Sequence, residues 1–218
     1  MARVAVTGWI PADALTSLEG HEVEVWPDGR PQSTADRLAL VEGADALLTL
    51  VSHNVDAALL DAAGTQLKIV ANVGVGFNNI DLAACAARGV IATNTPDVLT
   101  DATADTALAL VLEVTRRFGE GQRIVRDQRP WAFGLFGMLG VGLAGKCAGI
   151  IGPGSIGIAT ARRLRALGME IAYAGRSPMR PAAAEELGAE RVELDELLAS
   201  ADVVSLHVPL TDETRNLI

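Results

Sequence analysis

Short apolar runs alternate with helix-type repeats over the first hundred residues. The apolar runs have the length and composition of buried strands, and they occupy residues 3–7, 22–26, 46–50, 68–72 and 90–93. The segments between them predict helices over residues 11–19, 33–41, 56–63 and 80–88. Strand–helix alternation with short connections is typical of a parallel sheet covered on both faces. Residues 1–97 are therefore predicted to form one small α/β domain.

The segment "NTPDVLT", residues 94–100, is the predicted boundary between two domains. A long helix is predicted directly after it, because five apolar residues repeat at i, i+3, i+4, i+7 and i+8. They are Ala104, Ala107, Leu108, Val111 and Leu112. Gly119 is expected to close this helix. Residues 98–218 are then predicted to form the second domain.

The sequence "GPGSIG", residues 152–157, fits the pattern G-x-G-x-x-G between a strand at 147–151 and a helical repeat. A second strand at 170–174 completes a βαβ unit, which is the context of a dinucleotide site. The first glycine allows a tight turn, the second leaves room for a pyrophosphate, and the third lets helix and strand pack closely. The predicted phosphate-binding residues are Gly152, Gly154, Ser155, Ile156 and Gly157. The alternative is a tight turn that binds nothing.

Arg176 and Ser177 follow the second strand, where a domain that prefers NAD usually has a carboxylate for the ribose 2′-hydroxyl. A guanidinium binds a 2′-phosphate through forked donors, and a serine hydroxyl adds another. These residues favour NADP(H), with NAD(H) as the alternative, since an arginine also stacks on adenine without contacting the phosphate.

A further buried strand is predicted at 203–206, before His207, Val208 and Pro209. Ligands of open α/β sheets lie at the carboxyl ends of strands, so these three residues are expected on the nicotinamide side of the site. His207 is expected to shape a wall there rather than to transfer protons.

Charge and composition exclude several classes of partner. The 218 residues carry 18 basic and 27 acidic side chains, a net charge of −9, which disfavours nucleic acid and anionic membranes. The longest uncharged stretch, 130–145, is shorter than the roughly 20 residues of a spanning helix. Two cysteines at no metal-ligand spacing and no signal peptide at the start predict a soluble, cytoplasmic protein without a metal site.

Taken together, these segments resemble the D-isomer-specific 2-hydroxyacid dehydrogenases, and most closely the glyoxylate/hydroxypyruvate reductase branch. The resemblance rests on "GPGSIG", "GRS" and three longer segments, which are "NVGVGFNNID" at 72–81, "GVIATNTPDVLTDATAD" at 89–105 and "HVPLTDETRNLI" at 207–218. It implies two Rossmann-like parallel-sheet domains: a flavodoxin-like substrate domain and a dinucleotide-binding domain that is incomplete here. It also implies hydride transfer between NADP(H) and a small 2-keto or 2-hydroxy acid.

The resemblance also implies site residues in both domains. Val75 and Gly76 would offer backbone N–H groups to the substrate carboxylate, and Leu50 would form an apolar wall for the substrate. Thr103 and Thr214 would lie on the cofactor side.

The sequence departs from the family in its catalytic residues. Its members supply a catalytic Arg, His and Glu downstream of "HVPLT", and this sequence has none of those positions before Ile218. His21 and His53 do not match the family's acid. No catalytic residue is therefore predicted, and the chain is expected to be a fragment that is inactive alone.

Two other interpretations stay open: a non-catalytic, nucleotide-sensing binding protein of the same fold, and a fragment without function. A homodimer is expected, because the stretch "WAFGLFGMLGVGLAG", residues 131–145, is too apolar to remain in water. Phe133 and Phe136 are the aromatic residues expected at that interface.

Overall fold

The computed structural model describes residues 1–131 and 134–218. These residues form two compact units. Unit 1 contains Met1–Asp97 together with Pro209–Ile218, and unit 2 contains Val98–Val208.

Unit 1 is built on a five-stranded, all-parallel sheet. Its strands are β1 (Arg3–Val6), β2 (Glu22–Val25), β3 (Ala46–Leu50), β4 (Ile69–Val73) and β5 (Ile91–Thr93), in the order β2-β1-β3-β4-β5. A 3-10 helix over Ala12–Leu18 follows β1, and the α-helices are α1 (Thr34–Val41), α2 (Ala57–Ala63) and α3 (Leu82–Ala87). This strand order is the flavodoxin-like one.

Each α-helix of unit 1 begins at a residue whose side chain satisfies a free backbone donor. Ser33, Asp56 and Asp81 accept hydrogen bonds from the N–H groups three residues further on. The helices and the sheet enclose a core with Leu47, Leu60 and Val70 at its centre. Sequence-predicted helices therefore start one or two residues early, because the capping residue itself is not helical.

Unit 2 is built on a four-stranded parallel sheet. Its strands are β6 (Cys147–Ile151), β7 (Glu170–Ala174), β8 (Glu190–Arg191) and β9 (Val203–Leu206), in the order β8-β7-β6-β9. Its helices are α4 (Thr100–Arg116), α5 (Phe118–Arg126), α6 (Ser155–Ala166), α7 (Pro181–Leu187) and α8 (Leu194–Ser200). The core contains Ile150, Ile158, Leu164 and Met169.

Three details differ from the sequence-based expectations. The segment predicted as the first helix is a 3-10 helix. Helix α4 ends at Arg116 and is capped by Arg117 in the left-handed conformation, so Gly119 does not close it and α5 starts at once. The predicted second domain covers residues 98–218, whereas Pro209–Ile218 group with unit 1 by their contacts.

Within the described ranges, no helix is both long and apolar enough to cross a bilayer. Residues 134–141 form a turn and irregular chain and include several exposed apolar side chains. Phe133, one of the two aromatic residues expected at an interface, lies outside the described residues.

Candidate functional site

The glycine turn connects β6 to α6 and is shaped by close approaches of its backbone. Gly152 has a φ of +92°, and a Cβ at this position would lie 2.6 Å from the carbonyl oxygen of His207. A Cβ on Gly157 would overlap the carbonyl oxygen of Gly152. A Cβ on Gly154, by contrast, would meet no atom within 4 Å in the described part of the chain. Two glycines thus permit packing, and the third faces open space.

The start of α6 leaves backbone donors available beside that open space. Gly154 is the N-cap residue, and among the described residues no side chain caps the helix. The N–H groups of Ser155, Ile156 and Gly157 have no partner within the helix, because the first turn of any α-helix lacks acceptors. Free N–H groups at the positive end of a helix bind phosphate oxygens. The turn therefore fits a pyrophosphate group.

The segment after β7 packs directly on this turn. A Cβ on Gly175 would lie 2.7 Å from Cδ of Pro153, so only glycine allows the approach. Arg176 and Ser177 follow and are both exposed. In the described ranges Arg176 forms no ion pair with a carboxylate, unlike Arg162 and Arg163 of the same unit. Its guanidinium is available to a ligand.

The end of β9 closes the other side of the glycine turn. The N–H of His207 donates to the carbonyl of Ile151 at 2.7 Å. The His207 carbonyl oxygen and Cγ1 of Val208 lie 2.6 Å and 2.8 Å from the position that a Cβ on Gly152 would occupy. The His207 ring shares a hydrogen bond of 2.9 Å with the Ser205 hydroxyl. Burial lowers the pKa of His207, so the ring is neutral at neutral pH.

A cavity of about 590 Å³ lies between α4 and β9 within unit 2. Thr103 and His207 both line it, so the fold brings these two predicted cofactor-side residues to one cavity. Leu110 and Val111 contribute to its mostly apolar wall.

In unit 1, the loop after β4 has bonded carbonyls and two backbone donors without an acceptor among the described residues. The Asn94 side chain donates to the Val75 carbonyl at 2.8 Å, and the Asn72 side chain donates to the Gly76 carbonyl at 2.6 Å. Both carbonyls are thus held, while the N–H groups of Val75 and Gly76 have no acceptor among the described residues. An exposed loop with fixed carbonyls and free N–H groups is suited to an anion such as a carboxylate.

The predicted apolar wall, Leu50, lies at the carboxyl end of β3. Its side chain occupies the space above Gly8, where any Cβ would overlap it. His53 lies beside it, and Nδ1 of its ring is 2.9 Å from the Thr7 hydroxyl. Burial, with a smaller contribution from the charge of Arg37, lowers the pKa of His53.

Sequence reasoning missed a buried amide pair that connects these two segments. Nδ2 of Asn79 donates to the carbonyls of Leu50 (3.3 Å) and His53 (3.0 Å) and to Oδ1 of Asn72 (3.2 Å). Asn72 in turn holds Gly76. The available signal was Asn72 itself, a polar residue at an inward position of an otherwise apolar strand.

Two predicted cofactor-side residues, Pro209 and Thr214, belong to unit 1 by their contacts. The Thr214 hydroxyl donates to the Pro209 carbonyl at 2.6 Å and accepts from the Thr211 N–H at 2.8 Å. These bonds fold the segment onto itself, and its role toward a cofactor stays a prediction.

Comparisons with known proteins point in one direction. Residues 108–218 match the family model described as D-isomer specific 2-hydroxyacid dehydrogenase, NAD binding domain. The chain is 44% identical over 222 residues to a glyoxylate reductase of Thermococcus litoralis, and 45% identical over 221 residues to one of Thermococcus kodakarensis. Each alignment covers 99% of this chain and 66% of the relative, so the chain spans slightly less than two thirds of their length.

Solved structures show the same similarity. The TT0316 protein from Thermus thermophilus superposes with a TM-score of 0.90 at 44% identity, covering 99% of this chain and 67% of that one. A glyoxylate reductase from Paecilomyes thermophila gives a TM-score of 0.83 at 29% identity, covering 100% of this chain and 68% of that one.

Proposed function

The chain belongs to the D-isomer specific 2-hydroxyacid dehydrogenase family, and from that premise we propose that its protein transfers a hydride between NADP(H) and a small 2-keto or 2-hydroxy acid. Glyoxylate and hydroxypyruvate are the proposed keto acids. The observation that carries the proposal is the glycine turn, with open space at Gly154 next to the free donors at the start of α6.

In this proposal unit 2 binds the cofactor. The N–H groups of Ser155, Ile156 and Gly157 hold the pyrophosphate, and Thr103, His207 and Val208 lie toward the nicotinamide, with Pro209 and Thr214 contributed by the following segment. The bound nicotinamide supplies or accepts the hydride. The residues of this chain bind and orient it.

Unit 1 is proposed to bind the substrate. The free N–H groups of Val75 and Gly76 hold the carboxylate, and Leu50 packs against the remainder of a small acid. The loop has no cationic residue between Gly74 and Asp81. The attraction for a carboxylate therefore comes from the backbone N–H dipoles, whose positive ends are the hydrogens. A loop of this kind binds a compact carboxylate without selecting for a long side chain.

NADP(H) is proposed as the preferred cofactor because of Arg176. This exposed guanidinium stands directly after β7, where a carboxylate would bind the unphosphorylated ribose. A carboxylate would repel a 2′-phosphate, whereas a guanidinium attracts it through charge-assisted hydrogen bonds. Ser177 provides a further hydroxyl donor.

The experiment is a titration of the wild type and of Arg176→Ala with NADPH and NADH, followed by fluorescence. We expect the variant to bind NADPH about tenfold more weakly and NADH within about twofold of wild type, since a charged hydrogen bond contributes roughly 1.5–3 kcal/mol. Equal weakening of both cofactors would contradict the NADP assignment. A second arm, run on the complete gene product, follows NADPH absorbance with glyoxylate: cofactor binding without oxidation of NADPH would favour nucleotide sensing instead.

We also propose a homodimer. Trp131, Leu135 and Phe136 are 72%, 74% and 80% exposed, which is unfavourable for apolar side chains that are close together in sequence.

A further inference from the structure

A second arginine, Arg191, lies at the carboxyl ends of the strands, as Arg176 does. Strands β7 and β8 are parallel neighbours, with Tyr173 opposite Arg191, so their carboxyl ends lie side by side. Arg191 is the last residue of β8, and its Nη2 donates to the carbonyl of Gly175 at 3.1 Å. Gly175 directly precedes Arg176. The hydrogen bond therefore holds one guanidinium against the segment that carries the other.

This hydrogen bond occupies only a small part of the Arg191 guanidinium. A guanidinium has five N–H donors in a fixed fork, and a single donor reaches Gly175. Arg191 is exposed and, within the described ranges, forms no ion pair. Arg162 and Arg163, on the neighbouring helix α6, are instead engaged by Glu186 and by Asp101 and Asp105. The remaining donors of Arg191 are therefore available to a ligand next to Gly175.

The chemistry of a phosphate monoester calls for more than one such group. It carries close to two negative charges at neutral pH and presents three acceptor oxygens. One exposed guanidinium in high dielectric attracts it weakly, and the net charge of −9 on the chain gives no general attraction. Two guanidiniums on adjoining segments satisfy more oxygens and add their charges.

We propose that Arg191 is a second specificity-determining residue, which binds the 2′-phosphate of NADP(H) together with Arg176. The inference rests on the proposed preference for NADP(H). The Gly175 carbonyl orients the Arg191 fork, and Pro153 packs against Gly175, so the Arg191 guanidinium is held next to the segment that carries Arg176.

The test measures, by calorimetry, the affinity of the protein for two fragments of the cofactor. These are 2′,5′-ADP and 5′-AMP, which differ only in the 2′-phosphate. For Arg191→Ala we expect the affinity for 2′,5′-ADP to fall about threefold to tenfold and that for 5′-AMP to change by less than about twofold. Added salt should reduce the 2′,5′-ADP preference of the wild type more than that of the variant. Arg191→Lys, which retains charge but has no fork, should keep part of the preference.

The matched control is Arg165→Ala. Arg165 also donates to one carbonyl, that of Met169 at 3.2 Å, and is also exposed, but it lies at the opposite end of the strands, before β7. It should leave both fragments unaffected. Equal weakening of both fragments in Arg191→Ala would mean that Arg191 only holds the loop, and the inference would be wrong. If Arg176→Ala weakens the binding of 2′,5′-ADP and Arg191→Ala does not, the inference is wrong but the cofactor proposal stands. A wild type that binds both fragments equally overturns both.

Discussion

At the scale of single residues, the glycines of the turn divide into two kinds that mutation can separate. Gly157 faces the Gly152 carbonyl and, at 3.2 Å, Cγ2 of Ile150, so a methyl group there displaces backbone. Gly154 faces open space and has an ordinary φ of −78°, which alanine also adopts. Glycine is required at position 157 for packing. At position 154 glycine is required only when a ligand is bound.

We therefore predict opposite results for Gly157→Ala and Gly154→Ala. The first should lower the free energy of unfolding by about 1–3 kcal/mol, which is typical of overpacking. The second should stay within about 1 kcal/mol of wild type and weaken NADPH binding at least about tenfold, because its methyl group occupies the pyrophosphate position. Urea unfolding and cofactor titration on both variants provide the measurement. If Gly154→Ala binds normally, the cofactor does not cross the turn.

At the scale of elements, the Asn72–Asn79 pair joins the end of β3 to the loop after β4. Asn79 is buried and donates to two carbonyls of the chain after β3, and Asn72 donates to the Gly76 carbonyl. The two segments proposed to contact the substrate are thereby held in one arrangement within unit 1. Buried amides that satisfy backbone groups stabilise a structure mainly because their removal leaves those groups unpaired.

Asn79→Ala should destabilise the chain by about 2–3 kcal/mol, because the His53 carbonyl and Oδ1 of buried Asn72 lose their donor, while the Leu50 carbonyl keeps the His53 N–H. The neighbouring Asn78 is exposed, and Asn78→Ala is the matched control, with an expected change within about 0.5 kcal/mol. Thermal unfolding gives the comparison. Hydrogen exchange should additionally become faster in Asn79→Ala only at Gly74, whose N–H donates to the Asn72 carbonyl at 3.0 Å. Equal stability of the two variants would show that the amide pair is not required.

The sequence predicts elements where local pattern and packing agree. Strands β3, β6, β7 and β9 have the predicted bounds, because each is a short apolar run in a sheet covered by helices. Strand β8 has only two residues, both exposed, so no apolar run predicts it, and α7 and α8 are likewise not among the predicted helices. Helix α4 also has apolar residues outside its predicted stripe: Ala104 and Val111 of the stripe are buried, whereas Leu110 is exposed and lines the cavity together with Val111. The apolar periodicity of the sequence predicts only the stripe that contains Ala104 and Val111.

At the scale of the whole molecule, the site could be predicted where it depends on one continuous segment. The glycine turn, Arg176 and the Val75–Gly76 loop are such segments: the structure leaves open space at Gly154 and fixes the Val75 and Gly76 carbonyls, and the binding roles of all three stay predictions. Contacts between distant residues could not be predicted, as with Arg191 and Gly175 or Asn79 and Leu50. The grouping of Pro209–Ile218 with unit 1 is of the same kind, since it depends on tertiary contacts rather than on sequence order.

The association state is the remaining prediction at this scale. Leu135 and Phe136 are 74% and 80% exposed, and burial of two such side chains in each protomer of a dimer gives several kcal/mol. We expect wild type to sediment as a dimer of the 22.7 kDa chain, and Leu135→Ser with Phe136→Ser to sediment as a monomer. Val98→Ser is the control, because Val98 is 82% exposed but lies before α4, outside this apolar segment. It should remain dimeric. An unchanged sedimentation coefficient in the double variant would place the interface elsewhere, and a monomeric wild type would show that these residues do not form one.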